Sequence, residues 1–208
     1  MSEIILSTAY FPNVQYLSKF LAYENILIEQ MDTYAKQSYR NRCIISSANG
    51  PLPLTVPVVK NFRTPVKDIK IDYSEEWQKK QHRAILSAYK NSAFYDYYFP
   101  EFEEFFEKKE KFLIDLNMKI LDVILDNFGI DKKYSLTNVF IKEPTCVDFR
   151  DIIHPKASKN ANDKSFKQAK YYQVFEDKHG FVGNLSVLDL LFNEGPMGLQ
   201  VLEQNIVK

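Results

Sequence analysis

The sequence predicts a mixed α/β protein, an N-terminal βαβ-type sheet with a hairpin followed by a mainly helical C-terminal half. Three observations carry that class. Short apolar runs at Glu3 to Thr8 and Asn25 to Glu29 flank an amphipathic stretch, the pattern of strand, helix and strand. A strong turn, Asn49-Gly50-Pro51, separates two β-prone arms. Beyond residue 74 the apolar spacing becomes that of helices.

In chain order, Glu3 to Thr8 reads as a buried strand. Val14 to Leu21, with apolar residues at 14, 17, 20 and 21, reads as a helix after a Pro-containing turn. Asn25 to Glu29 then returns as a second, parallel strand. Arg40 to Ser46 and Leu52 to Val59 form the hairpin, and Pro53 and Pro57, which have no N–H to donate, put the returning arm on an edge. Ile69-Lys70-Ile71 is a further short strand. Ser74 caps a helix whose stripe is Trp77, Gln81, Ala84, Ile85 and Ala88. Glu101 to Glu107 is a short helix, and Phe112 to Phe128 is a long one that stops at Gly129. From Lys156 to Lys170, Lys156, Lys159, Lys164, Lys167 and Lys170 face the single acid Asp163 among Ser and Asn, which predicts a mobile basic loop. Tyr171 to Phe175 is ordered, and a last helical region starts at Ser186, broken by Gly195-Pro196. The expected organisation is one domain over 1–208, with a strand-rich part at 1–73 and a mainly helical part at 74–208.

Of the 208 residues, 45% are hydrophobic and 26% charged, enough to bury a core and too apolar for disorder along the whole length. Twenty-seven basic residues against twenty-seven acidic ones leave no global field to recruit nucleic acid or an anionic membrane, so an anion site must be local. No run approaches the roughly 18 apolar residues of a membrane span. The opening Met1-Ser2-Glu3 lacks a basic start and a cleavage site, and Cys43 and Cys146 stand far apart without metal-ligand spacing. A cytoplasmic protein with no metal and no cofactor is the expectation. Thirteen Tyr and sixteen Phe exceed ordinary core needs and suit a pocket or a partner surface.

The sharpest chemical cluster is Lys36, Tyr39, Arg40, Asn41, Arg42 and Cys43. If Arg40 to Cys43 is extended, Arg40 and Arg42 share one face and can clamp a phosphate or carboxylate, while Asn41 and Cys43 take the other. The same charges also fit a solvated edge. No Gly-x-Gly-x-x-Gly, phosphate-loop or Gly-x-Ser-x-Gly motif is present. His82 lies at the margin of a helical stripe, where it is either a general base or a half-buried helix residue. His154 sits in Asp148-Phe149-Arg150-Asp151-Ile152-Ile153-His154-Pro155-Lys156, dense enough for chemistry or for ion pairing alone. His179 before Gly180 reads as a turn residue.

Ala9-Tyr10-Phe11-Pro12, Gln15-Tyr16, Lys36-Gln37 and Tyr39-Arg40-Asn41-Arg42-Cys43 resemble the opening of the WbqC-like family, especially its Bacteroides-type branch. Asp148-Phe149-Arg150, Ile153-His154-Pro155-Lys156, Tyr171 to Phe175 and Asp189 to Pro196 resemble the remainder, so the likeness spans nearly the whole chain. Glu29 and Asp32 match only part of the acidic stretch that wider members carry after the second strand. The resemblance implies a transferase of surface-polysaccharide, O-antigen-type biosynthesis, placing a glycyl or other acyl group on the amine of a nucleotide-linked amino sugar. Under it His82 or His154 is the base and Asn41 or an arginine the oxyanion donor. Tyr10, Gln15, Tyr16, Lys36, Tyr39, Arg40, Arg42, Asp148, Arg150 and Lys156 then bind an anionic small molecule such as a nucleotide-linked sugar. The alternative is a non-catalytic ligand-binding or scaffold protein of the same pathway. Convergence of Arg40, Arg42, His82, Asp148 and Arg150 on one concave, aromatic-lined pocket favours the enzyme, and scatter over a convex surface favours the binder.

Overall fold

β1 (Glu3–Ser7), α1 (Val14–Ala22) and β2 (Asn25–Glu29) form the expected βαβ unit, with Glu3 opposite Asn25 and Ser7 opposite Glu29 in parallel register. This computed structural model describes residues 2–59, 63–131, 133–156 and 163–207. Helix α1 begins where the Asn13 side chain accepts the Tyr16 N–H, and it buries Val14, Leu17 and Phe20. β3 (Arg42–Ile45) and β4 (Leu52–Thr55) make the antiparallel hairpin, and Pro53 lies exposed opposite Ile44. β5 (Val58–Val59) pairs with β6 (Lys70–Ile71).

Four helices come next along the chain. α2 (Trp77–Tyr89) buries Trp77, Gln81, Ile85 and Ala88. Ser74 is not its cap: the Ser74 N–H donates to Asp72 Oδ1 at 2.8 Å, and the helix starts after Glu76 without a side-chain cap. The single helix expected over 101–107 is a 3₁₀ turn at Phe99–Phe102 between α3 (Tyr95–Tyr98) and α4 (Glu104–Glu107). α5 (Leu113–Phe128) ends at Gly129 with φ +65°, a left-handed cap that a side chain would strain. Its Ile120, Leu121, Ile124 and Leu125 are each at most 1% exposed, and burying each contributes about 1.5–3 kcal/mol.

Two strands from the second half complete the sheet. β7 (Tyr134–Leu136) pairs with β2 and β8 (Val147–Asp148) pairs with β1, giving the order β7-β2-β1-β8 with every neighbour parallel. Three and two residues are too few for any periodicity to register. The chain closes with α6 (Glu176–His179), α7 (Val187–Glu194) and α8 (Gly198–Gln204), and α7 and α8 pack with α1. Gly195, between α7 and α8, has φ +51°, and a Cβ there would meet the Phe94 ring at 2.7 Å. No helix among the described residues is long and apolar enough to cross a membrane.

Much of the aromatic surplus goes into the core. Tyr95 stacks on Phe99 at 4.7 Å, and Phe99 continues to Phe106 and Phe192 at 6.1 and 6.3 Å. The basic loop also differs from the expectation. Residues 157–162, Lys159 among them, lie outside the described residues, but Asp163 is buried in an ion pair with the fully buried Lys19 of α1. Beyond it Phe166 bridges to Ile206, and the Lys167 N–H donates to the Asn205 carbonyl at 2.8 Å. The segment from Asp163 onward is therefore anchored rather than loose, because its one acid is the partner of a cation with no access to water.

Candidate functional site

All four strands of the main sheet are parallel, so their C-terminal ends share one side, the side where open α/β sheets take ligands. In many βαβ units the free amides of the helix N-terminus hold an anion there. Here those amides are engaged within the chain. The Val14 N–H donates to the Leu185 carbonyl, Gln15 N–H to Asn184 Oδ1 and Tyr16 N–H to Asn13 Oδ1. Charge recognition at this end falls to side chains.

Arg150 follows β8 and is held from several directions. Its Nε and Nη2 donate to the two oxygens of Asp148 at 3.0 and 2.7 Å, and Nη1 donates to the Ile141 carbonyl at 2.7 Å. Glu29, the last residue of β2, lies 3.5 Å from Nη1 with its side chain fully buried. Glu29 also accepts from the Thr137 hydroxyl at 2.7 Å and the Met31 N–H at 2.8 Å. Burial alone would lift the Asp148 carboxyl, but the Arg150 hydrogen bonds outweigh it and hold the group below its ordinary value. Arg150→Lys keeps the charge but cannot make the fork to Asp148 and reach Ile141 together. It is expected to cost about 1.5–3 kcal/mol in urea unfolding. An unchanged midpoint would show that the fork is not formed in solution.

Arg40 reaches the same place from a turn, not from a strand. Strand geometry starts only at Arg42, so the shared face expected for Arg40 and Arg42 does not form. Gln37 has φ +57° in that turn. Asn117 of α5 fixes it by donating to the Arg40 carbonyl at 2.7 Å and to the Thr8 hydroxyl at 3.1 Å. The Arg40 Nη2 donates to Asp32 at 3.1 Å. Burial pushes the Arg40 pKa down, Asp32 and Asp151 pull it up, and Arg150 opposes them.

Tyr16, Tyr39, Arg40, Phe149, Arg150 and His154 line one small cavity of about 10 Å³ beside Ser7 and Thr8 at the end of β1. His154 is buried, and the Lys156 N–H donates to its Nδ1 at 3.0 Å. That bond selects the neutral tautomer carrying its proton on Nε2. Asp148 belongs to the cluster through Arg150, and Lys156 through its backbone.

The remaining candidates lie elsewhere. Tyr10 is 1% exposed and donates to Gln81 Oε1 at 2.7 Å. Gln15 donates to Asp163 and accepts from Asn184, both at 3.0 Å. The Asn41 amide donates to the Val56 carbonyl at 2.8 Å, which engages the group expected as an oxyanion donor. Arg42 donates to the Thr55 hydroxyl at 3.2 Å, and Lys36 is exposed. His82 packs 5.3 and 5.9 Å from the Phe99 and Phe106 rings and lines a separate cavity of about 470 Å³ in which Glu75, Glu76, Glu103 and Glu107 outnumber Lys79 and Lys109. That excess of acids disfavours an anion.

Two contributors are not among the site residues that the sequence predicts. Glu29 is a charge ending an otherwise apolar strand, and Asn117 is a polar residue on the apolar stripe of α5. Both mismatches are visible in the sequence.

The family model of the WbqC-like protein family matches residues 8–201. An uncharacterized protein of Mycobacterium tuberculosis, Rv1507c, is 24% identical over 93% of this chain and 91% of its own length. No solved structure matches.

Proposed function

We propose, from the premise that this chain belongs to the WbqC-like protein family, that it is a transferase of surface-polysaccharide biosynthesis. It moves a glycyl or other acyl group to the amine of a nucleotide-linked amino sugar. The observation that carries this reading is the gathering of Arg40, Arg150 and His154 with Tyr16 and Tyr39 on one cavity at the strand ends. Acyl transfer needs an anionic or polarised donor held still, and an oxyanion stabilised as the amine attacks. The Arg40 guanidinium, whose Nε has no partner among the described residues, serves the first need, with Arg150 beside it on the cavity wall. The His154 Nε2–H, fixed by the bond at Nδ1, serves the second as a donor rather than as a base.

Incubating the purified chain with nucleotide-linked amino sugars and activated glycyl or acyl donors, and weighing the sugar by mass spectrometry, tests the reading. The expected result is a gain of one acyl group. Binding of both substrates without product supports the non-catalytic reading instead. Within a demonstrated reaction, His154→Leu, which removes the Nε2–H donor, is expected to slow turnover about 100-fold. His82→Gln, in the separate acidic cavity, leaves turnover within about threefold. The reverse ranking would move the active site to α2.

A further inference from the structure

We propose that the strand-end cavity is a socket for one carboxylate group, whose oxygen is held by the Arg40 Nε–H and the Tyr16 O–H. This rests on the reading of that cavity as the ligand site, and not on the transfer chemistry. Tyr16 and Arg40 are each 3% exposed, and both line the cavity. Yet Tyr16 Oη and Arg40 Nε have no hydrogen-bond partner among the described residues. A buried donor left unpaired is costly, and folded chains rarely keep two on the wall of one cavity.

Both groups ask for the same thing. A guanidinium has no lone pair to offer, and burial raises the Tyr16 hydroxyl so that it keeps its proton. Arg40 can only donate and the Tyr16 hydroxyl has a proton to give, so one acceptor oxygen between them satisfies both. Arg40 meets Asp32 only through Nη2, which leaves the Nε of its fork for a second carboxylate. Size narrows the class further. A cavity of about 10 Å³ admits one oxygen-sized atom, and because Arg40 is already paired with Asp32 and Arg150 with Asp148 and Glu29, the little positive charge left over suits a monoanionic carboxylate rather than a phosphate dianion.

The probes are acetate, acetamide and inorganic phosphate at matched ionic strength, titrated into the full chain while the thermal midpoint and amide NMR shifts are followed. Acetate is expected to bind saturably and raise the midpoint of the parent, whereas acetamide and phosphate do not. Tyr16→Phe removes only an unpartnered hydroxyl. Without ligand its midpoint should equal or exceed the parent's, while acetate binds at least about tenfold more weakly. Arg40→Lys, which keeps the charge and loses Nε–H, should show the same weakening. The proposal is overturned if acetate does not bind, if acetamide or phosphate binds equally well, or if Tyr16→Phe lowers the midpoint without ligand. Acetate binding with no product from any sugar overturns the transferase reading alone, and product formation without acetate binding overturns the socket alone.

Discussion

Asp163→Ala is expected to lower the free energy of unfolding by about 3–5 kcal/mol, because it leaves a buried ammonium without its counter-charge. Lys19 is fully buried on α1, and its Nζ meets Asp163, Ser165 Oγ at 2.8 Å and the Phe149 ring at 4.7 Å. Burial pushes the Lys19 pKa down against the pull of Asp163. Asp163 also accepts from Gln15 and from the Ser165 N–H and hydroxyl, which together outweigh its own burial and hold its carboxyl below the ordinary range. A depressed folded pKa means that the contribution is present above the ordinary carboxylate value and is lost as the pH falls below it. Urea unfolding at neutral pH checks the size. Lys19→Met combined with Asp163→Ala should recover part of the loss, since no charge is then stranded. A single-variant loss under about 1 kcal/mol would show that water reaches the pair.

Asp189 has the opposite sign. It is fully buried and accepts from the Tyr89 hydroxyl at 2.8 Å, the Tyr171 hydroxyl at 2.8 Å and the Gln173 amide at 2.9 Å. Burial nevertheless lifts its carboxyl from 3.8 to about 6, against the pull of those donors. A raised folded pKa means that the fold binds the proton more tightly than the unfolded chain does. Stability is then greatest below the ordinary value and falls as the pH rises toward about 6. The gap of about two units corresponds to about 3 kcal/mol. Asp189→Asn removes the titration, so the stability difference between parent and variant should change by about that amount from about pH 4 to about pH 7. Parallel curves over that range would mean that the carboxyl does not titrate there.

The two carboxylates illustrate what can be read from sequence and what cannot. The apolar runs of β1 and β2, the Asn-Gly-Pro turn and the stripe of α5 each announce themselves locally, and the structure has them. Asp163 looked like a lone acid in a basic loop because its partner lies on another element, and Lys19 shares the apolar face of α1 with nothing nearby to explain it. Strands β7 and β8 are defined by pairing rather than by pattern. Arg40 and Arg42 differ by two residues and were expected side by side. The turn through Gln37 sends Arg40 to the strand ends, and ladder geometry beginning at Arg42 sends the second arginine to Thr55. Proximity in sequence named the right neighbourhood, and tertiary structure chose between its members.

The placement of β8 bears on how this chain is made. Ser7 at the end of β1 donates to the carbonyl of Arg150, a partner 143 residues away. During synthesis β1, α1 and β2 leave the ribosome long before β8, so the nascent chain carries Arg40 and Tyr16 but neither Arg150 nor His154. The cavity acquires its last wall only when a two-residue strand docks beside β1, a contact of high sequence separation that forms late and slowly. Until then the β1 edge presents unpaired amides and carbonyls, the kind of edge at which another strand can add.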